Sequence, residues 1–451
     1  MISSITEKKS FTLPLLVCLI VISIQSFLIG YQEPVFDALA YAERALNFSF
    51  IPAVDAPETG IVFAPLYPGF LNLMMQLDSS VERALNCYVA RTGGCDVSGL
   101  ASVYAIQTLI IALVVYFSFL ASYFITNRYG FSIAVMILIL FAGRLSEYTT
   151  WLITESFAFV GFMSFAACLA YALKVKDGFV AFFLMGLTLS LSVLTRPSYL
   201  YLLYSLIFLI PIYWGIAHRN KPFDILIKLV AFLLPFLCLV IPWMLRNYYY
   251  HGVFGVSAGY GAYILSERVA YNLMSWSEYG VSFVYWLPDF GDSISKNIFD
   301  SALYSKLDFG SADGYYRYGN STIRSAVYDS AQTDPERVRF ILDQYILPDF
   351  LKHVLVTVSL SFRGMWVAKY FGLIGVVTLI PAFFQIKRMI GAAPILFLAY
   401  PFFFMVGFHA FVSVSIPRYN APMVLIYSMA IIITVIAVGR VFQKLQWPWK
   451  N

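Results

Sequence analysis

Long apolar runs constrain the fold of this chain more than any other feature. A helix that crosses a bilayer needs about 20 largely apolar residues, and about ten runs approach that length, of which the third and fifth are short. Their expected bounds are Leu13–Ile29, Ala101–Ile125, Phe131–Gly143, Trp151–Leu173, Phe179–Leu194, Tyr199–Ala217, Leu226–Leu245, Trp366–Phe384, Ala393–Phe411 and Met423–Val438. Because 60% of the residues are hydrophobic and only 12% are charged, the sequence predicts an all-α polytopic membrane protein.

Basic residues predict the orientation of these spans. Lysine and arginine are in excess in the cytoplasmic loops of membrane proteins. On one side of ten spans lie Lys8, Lys9, Arg128, Lys174, Lys176, Arg219, Lys221, Lys387, Arg388, Arg440, Lys444 and Lys450. Both termini are therefore predicted to be cytoplasmic, with the first span retained as an anchor. The net charge of +5 reflects mostly this bias and does not indicate nucleic-acid binding.

The outer side receives most of the remaining chain. We divide the protein into an N-terminal transmembrane module at 1–246, which contains outer loop one at 30–100, an outer segment at 247–365, and C-terminal transmembrane helices at 366–451. An interfacial helix is predicted at Glu33–Phe48 from its amphipathic spacing. A second is predicted at Ala64–Gln76, an apolar run with proline near its start, and a third at Lys352–Arg363. The acids, arginines and histidine suited to chemistry at a lipid phosphate share this side: Glu33, Asp37, Glu58, Arg144, Glu147, Arg196, Arg246, His251, Glu267, Arg268 and Arg418. The alternative is an ordinary set of polar loop residues.

Two of the five cysteines lie outside the spans, at Cys87 and Cys95 in outer loop one. An oxidising exterior would allow them to pair, and Gly93-Gly94 gives the backbone freedom to close the ring. The alternative is a pair of free thiols. The His and Cys spacings of metal sites are missing from the sequence, so we predict no metal ligands and no certain cofactor, although a divalent metal stays open.

Four segments together resemble one enzyme superfamily. They are Phe36-Asp37-Ala38-Leu39-Ala40-Tyr41-Ala42; Phe63-Ala64-Pro65-Leu66-Tyr67-Pro68; Ile241-Pro242-Trp243-Met244-Leu245-Arg246-Asn247 with Gly252-Val253-Phe254 and Gly259-Tyr260-Gly261; and Pro417-Arg418-Tyr419-Asn420-Ala421-Pro422. In this order and span context the chain resembles the C-type (GT-C) membrane glycosyltransferases, in the branch of protein O-mannosyltransferases and the lipid A aminoarabinose transferase. The resemblance implies a GT-C fold and transfer of a sugar from a polyprenyl-phosphate donor to an acceptor hydroxyl.

The resemblance also implies roles for particular residues. Asp37 is the expected general base, since the attacking hydroxyl needs a proton acceptor within hydrogen-bond reach. Arg246 and Arg418 are expected to bind the donor phosphate, with Arg196 as a third candidate, because a guanidinium can pair with phosphate in a bidentate way. The alternative for these arginines is snorkelling at the membrane interface. Candidates for contact with the sugar or the acceptor are Glu58, Tyr67, Glu155, His251 and Tyr260, with Tyr263 a further tyrosine that could stack on a sugar.

The chain departs from the pattern of this branch at two positions. Many members carry Asp-Glu where this chain has Asp37-Ala38, so a second acid is missing or comes from Glu33, Glu58 or Glu155. The aminoarabinose branch has Glu-Lys where this chain has Phe63-Ala64, which disfavours that branch's acceptor. The acceptor is left open among glycan, lipid and protein.

A second class of function is a transporter or flippase of lipid-linked sugars. Transporters tend to have inverted repeats and charges at the midplane of the membrane, and the apolar runs here show neither pattern. We expect a bacterial inner membrane with the active site on the periplasmic side. The alternative is the endoplasmic reticulum with a lumenal site, with which the sequons Asn47-Phe48-Ser49 and Asn320-Ser321-Thr322 are compatible.

Overall fold

The computed structural model describes residues 11–34, 37–49, 63–91, 93–217 and 221–445, and within these ranges it contains helices and no strand. We number the α-helices in chain order: α1 Thr12–Ile29, α2 Asp37–Leu46, α3 Leu66–Leu77, α4 Ser79–Ala90, α5 Ala101–Thr126, α6 Tyr129–Ala142, α7 Glu155–Lys174, α8 Phe179–Thr195, α9 Tyr199–Ala217, α10 Pro222–Pro235, α11 Ile241–His251, α12 Gly261–Val269, α13 Trp276–Tyr285, α14 Gly291–Ile298, α15 Tyr315–Tyr318, α16 Arg324–Ser330, α17 Asp334–Ile341, α18 Phe350–Gly364, α19 Tyr370–Ile390, α20 Ala392–Val412 and α21 Val424–Leu445. Short 3₁₀ and π turns join some of them.

Nine helical stretches in the described part of the chain are long and apolar enough to cross a membrane. They are Thr12–Ile29, Val97–Thr126, Glu155–Lys174, Tyr199–Ile216, Pro222–His251, Asp334–Gly364, Tyr370–Ile390, Ala392–Val412 and Pro417–Arg440. The protein is therefore an all-α, multi-pass membrane protein, as its sequence predicts. Eight of the nine coincide with predicted spans.

The differences from the ten predicted spans lie in the short helices and in the outer segment. Helices α6 and α8 are apolar but have only 14 and 17 residues, which at 1.5 Å per residue gives lengths of about 21 and 26 Å. The ninth stretch, Asp334–Gly364, was predicted as soluble chain followed by an interfacial helix. Its last helix α18 packs on α13 and α20. The stretch contains eight charged residues: Asp334, Glu336, Arg337, Arg339, Asp343, Asp349, Lys352 and Arg363.

Contacts between helix ends show that the apolar helices run between two ends of one bundle. At one end, Thr149 Oγ1 donates to Ser26 Oγ at 2.9 Å, near the end of α1 and before α7. At the other end, Lys174 Nζ donates to Ile390 O at 3.0 Å, which joins the last residues of α7 and α19. Trp214 Nε1 of α9 donates to Asp177 Oδ2 at 3.1 Å at this second end. We call the first the site end and the second the basic end.

Close contacts between α7, α8 and α10 set the register of the bundle. A Cβ atom at Gly186 of α8 would overlap Phe232 O of α10, and one at Gly161 of α7 would overlap Ser192 Oγ of α8. Small residues at such crossings let helix backbones approach closely, as is common in membranes. Buried residues of the N-terminal helices and of α19–α21 belong to the same hydrophobic core.

Outer loop one forms a small helical unit at the site end. Helices α2, α3 and α4 pack on one another around Ala42, Leu71 and Leu85. Of these, α2 and α3 match the two predicted helices, while α4 was not predicted. Asp78 caps α4 by accepting from Ser80 N at 3.0 Å, and a short polar helix of this kind gives little hydrophobic signal in sequence.

A disulfide joins the end of α4 to the turn before α5. It links Cys87 and Cys95, whose Cα atoms are 5.7 Å apart. This is the pairing that the sequence predicts.

The outer segment has a second hydrophobic core that includes Tyr271, Trp286 and Leu360. Arg268, which is fully buried, ties this core to the bundle, since its guanidinium donates to Ala410 O at 2.6 Å and to His353 O at 2.9 Å. Burial lowers the pKa of Arg268 to about 9. The outer segment is thereby held against the site end of α20.

Candidate functional site

Two acids and two arginines meet at the site end of the bundle. Arg418 Nη2 donates to Asp37 Oδ2 at 3.2 Å, although the two residues are 381 positions apart. Arg418 Nε lies 3.0 Å from Glu155 Oε1, and Arg196 Nη1 lies 3.2 Å from the same oxygen. We call Asp37, Glu155, Arg196 and Arg418 the ion cluster. All four were candidates from the sequence.

Each member of the ion cluster is placed by a helix end. Asp37 is the first residue of α2 and Glu155 the first residue of α7, where the partial positive charge of a helix N-terminus favours a carboxylate. Arg196 directly follows α8, and Arg418 lies in the turn Pro417–Met423 that leads into α21. These four helix ends therefore bring the charged side chains together at the same end of the bundle.

The two acids differ in their exposure and in their partners. Glu155 is 2% exposed and lies between both guanidinium groups. The side chain of Asp37 is 50% exposed, and it forms an ion pair with Arg418. Glu155 is thus a fixed internal counter-ion, whereas Asp37 faces outward.

The formal charge of the ion cluster is zero, because two carboxylates face two guanidinium groups. The arginine side chains are only 19% and 21% exposed. Removing charges from water is costly unless partners compensate them. Glu155 and Asp37 therefore explain how two mostly buried arginines are tolerated here.

Aromatic rings surround the ion cluster. The guanidinium carbon of Arg196 lies 4.7 Å from the centre of the Tyr419 ring, and that of Arg418 lies 5.5 Å from it, which adds cation–π attraction. On the other side, Tyr41 of α2 hydrogen-bonds to Thr154, and burial raises the pKa of Tyr41 to about 12. These rings limit the access of water to the arginines.

The outer segment contributes a second charged pair next to this cluster. Arg324 Nη2 donates to Glu267 Oε1 at 2.8 Å, and the Arg324 guanidinium covers the ring of Tyr263 at 3.2 Å from its centre. Tyr263 stacks on Tyr260, which contacts Phe63 at 6.2 Å between ring centres. Burial raises the pKa of Glu267 to about 7, Arg324 opposes this shift, and the charge of Asp37 adds to it.

Three predicted site residues lie in other surroundings. Arg246 Nη1 lies 3.2 Å from His251 Nε2, and Arg246 Nη2 donates to Ser49 O at 3.1 Å, so these two residues lie together at the end of α11. Tyr67 is fully buried and donates to Gln107 Oε1 at 2.7 Å. It therefore exposes no ring face on which a sugar could stack. Glu58 lies outside the described residues.

The sequence predicted no role for several residues in and around the site. Tyr419 and Asn420 follow Arg418 directly in its motif, so their position was the available signal. His409 Nδ1 lies 3.0 Å from Asn420 Oδ1 inside the bundle. The Glu267–Arg324 pair joins positions 57 residues apart, and no local pattern indicates such a pair.

Two further features bear on ligand chemistry. Within the described ranges, no group of three or more His, Cys, Asp or Glu residues is arranged to hold a metal ion. A cavity of about 610 Å³ in the outer segment is lined by Tyr285, Asp292, Tyr304, Asp308 and neighbouring residues rather than by the ion cluster.

Comparison with known proteins does not assign a family. Protein-family models give no match to this sequence, and curated proteins give no significant match. The assignment of a function therefore depends on the residues and geometry of the site.

Proposed function

We propose that this protein is a membrane glycosyltransferase that moves a sugar from a polyprenyl-phosphate donor to an acceptor hydroxyl. The observation that carries the proposal is the ion cluster itself. It combines an exposed carboxylate, Asp37, with two guanidinium groups at the ends of membrane helices. A base next to phosphate-binding groups at headgroup depth is what this transfer requires, and the resemblance to the GT-C superfamily points to the same chemistry.

The proposed reaction assigns a role to each charge. The acceptor oxygen attacks the anomeric carbon of the sugar and forms the new glycosidic bond. The bond between the anomeric carbon and the phosphate oxygen breaks, and its electron pair leaves with the polyprenyl phosphate. The acceptor proton passes to Asp37. Arg418 and Arg196 stabilise the negative charge that grows on the leaving phosphate, while Glu155 holds both guanidinium groups in place.

The distribution of basic residues supports a site on the outer face of the membrane. Lys174 and Lys228 make their contacts at the basic end, and Lys387 and Arg388 lie in the last turn of α19. Basic residues at span ends favour the cytoplasmic side. The ion cluster at the opposite end would then face the periplasm in a bacterial inner membrane, or the lumen in the endoplasmic reticulum.

A transporter or flippase of lipid-linked sugars is the second candidate function. Its charges would be expected near the midplane, on broken helices. The ion cluster instead lies at helix ends, which favours chemistry at the membrane surface.

A transfer assay tests the proposal. Mass spectrometry of lipid that co-purifies with the protein would first identify the donor. The purified protein in detergent, with no membrane gradient, would then be given that donor labelled in its sugar. We expect label in the acceptor, and Asp37→Asn should lower the rate by about 10²–10⁴-fold, which is typical for loss of a general base.

Glu43→Gln is the matched control, because it removes one carboxylate from the exposed face of the same helix α2. This control should keep its activity. Near wild-type turnover in Asp37→Asn would show that the base is another group. Movement of lipid-linked sugar across proteoliposomes without any transfer would favour the transporter.

A further inference from the structure

The guanidinium group of Arg418 lies close to two acids through different nitrogen atoms. Its Nε is 3.0 Å from Oε1 of the buried Glu155, and its Nη2 donates to Asp37 Oδ2 at 3.2 Å. Glu155 cannot leave without stranding two arginines in a poorly hydrated place. Asp37 can leave easily, because its carboxylate is half exposed and would be rehydrated.

A negatively charged donor cannot simply add to this cluster. The two carboxylates already neutralise Arg196 and Arg418, so a phosphate at Arg418 would bring a third anion close to Asp37. Like charges at short distance disfavour one another. The carboxylate of Asp37 and the phosphate therefore compete for the guanidinium group of Arg418.

We propose that Asp37 is an exchangeable counter-ion of Arg418, which the donor phosphate replaces when it binds. This inference rests on the proposed function and adds an order of events to it. Without donor, Arg418 holds the Asp37 carboxylate and occupies one of its oxygens. With donor bound, the phosphate takes the place of the carboxylate beside Arg418, and the released carboxylate is free to accept the proton of the acceptor hydroxyl.

Through this exchange, the Asp37 carboxylate becomes available as a base only when the donor binds. No covalent bond changes in this step, since one anion replaces another on a guanidinium. Glu155 stays between Arg196 and Arg418 throughout and acts as a positioning residue. Activation of an acceptor hydroxyl, or of water, before donor is present is thereby avoided.

The exchange makes a prediction that general base catalysis alone does not make. If Asp37 competes with the phosphate, then Asp37→Asn should bind the anion more tightly, even though it is inactive in transfer. The Asp37–Arg418 ion pair is partly exposed, so it contributes little free energy. Removing it as a competitor should therefore raise the affinity for the anion by about two- to five-fold. The gain must also depend on Arg418, because Asp37 competes only at that guanidinium.

A binding experiment with farnesyl phosphate tests the exchange without any sugar transfer. Affinity would be measured in detergent by microscale thermophoresis for the wild type, Asp37→Asn, Arg418→Ala and the double variant, with farnesol as the uncharged control for the lipid tail. We expect about two- to five-fold tighter binding for Asp37→Asn and at least about ten-fold weaker binding for Arg418→Ala, as befits loss of a charged hydrogen-bond donor. The double variant should match Arg418→Ala. Thermal melting of each variant would establish that it is folded.

A second control separates competition from a general effect of charge. Glu43→Gln removes the same charge from α2, six residues or about 9 Å further along the helix, and should bind farnesyl phosphate like the wild type. Tightening by Asp37→Asn that persists without Arg418, or that Glu43→Gln reproduces, would refute the exchange and indicate a long-range charge effect.

The remaining outcomes distinguish the exchange from the proposed function. Unchanged or weaker binding in Asp37→Asn, together with loss of binding in Arg418→Ala, refutes the exchange but leaves the phosphate site in place. Unchanged binding in Arg418→Ala refutes both, because the phosphate site would then lie elsewhere.

Discussion

Replacement of Glu155 by glutamine tests whether the site is held together by charge balance. Glu155→Gln keeps the shape of the side chain and removes its charge. Arg196, 3.2 Å from the Glu155 carboxylate, would then lose this partner, while Arg418, 3.0 Å from it, would keep its ion pair with Asp37. Loss of one partner of a buried ion pair typically costs about 3–5 kcal/mol.

The expected loss lies at the lower end of that range. Glu155 itself is buried, but the arginine side chains keep 19% and 21% of their exposure, so water can partly solvate them. We expect the free energy of unfolding to fall by about 3 kcal/mol. At roughly 2 °C per kcal/mol for a large domain, the midpoint of thermal unfolding in detergent should fall by about 6 °C.

Glu147→Gln is the control for this measurement. Glu147 lies in the turn before α7 and pairs with Arg144, and its side chain is 38% exposed. A surface pair of this kind contributes about 1 kcal/mol or less, so the melting point should move by no more than about 2 °C.

A second substitution that rebalances the charge provides a further test of charge balance. Combining Glu155→Gln with Arg196→Gln leaves one carboxylate, Asp37, and one guanidinium group, Arg418, in the ion cluster. The charges are then balanced again, so the double variant should recover part of the lost stability. If Glu155→Gln shifts the melting point no more than Glu147→Gln does, or if the second change lowers it further, charge balance does not hold this site together.

Two further measurements follow from the structure. Burial raises the pKa of Glu267 from its ordinary value of 4.5 to about 7, so its contribution to stability is present below pH 4.5 and is lost as the pH rises through about 7. Glu267→Gln should remove this part of the pH dependence in melting experiments between pH 4 and 8. A profile that the substitution leaves unchanged would show that the pKa of this carboxyl is the same in the folded and unfolded protein. The Cys87–Cys95 disulfide should form in protein folded in an oxidising compartment and should contribute somewhat less than the ~3 kcal/mol of a 15-residue ring, so Cys87→Ser should lower the melting point, whereas two freely alkylated thiols in unreduced protein would contradict the pairing.

The sequence alone determined the features that depend on local composition. Apolar runs of bilayer length predicted the helical membrane fold, and eight of ten predicted spans recur among the long apolar helices. The ion cluster residues were recognisable as candidates because acids and arginines at the ends of apolar runs are conspicuous. The short helices α6 and α8 were recognised as apolar from the sequence. They are shorter than a typical membrane span, so whether they cross the membrane depends on how they pack.

The tertiary structure decided which of these candidates meet. Asp37 and Arg418 are 381 residues apart, and no local pattern distinguishes Arg418, which joins the cluster, from Arg246, which lies beside His251. The register between helices brings them together or keeps them apart, and that register is set by close contacts such as Gly186 of α8 against Phe232 of α10. Burial of Tyr67 and the pairing of Glu267 with a distant arginine depend on the same packing. Helix formation is a local property of the chain, whereas the charge environment of a side chain depends on residues that only packing brings near.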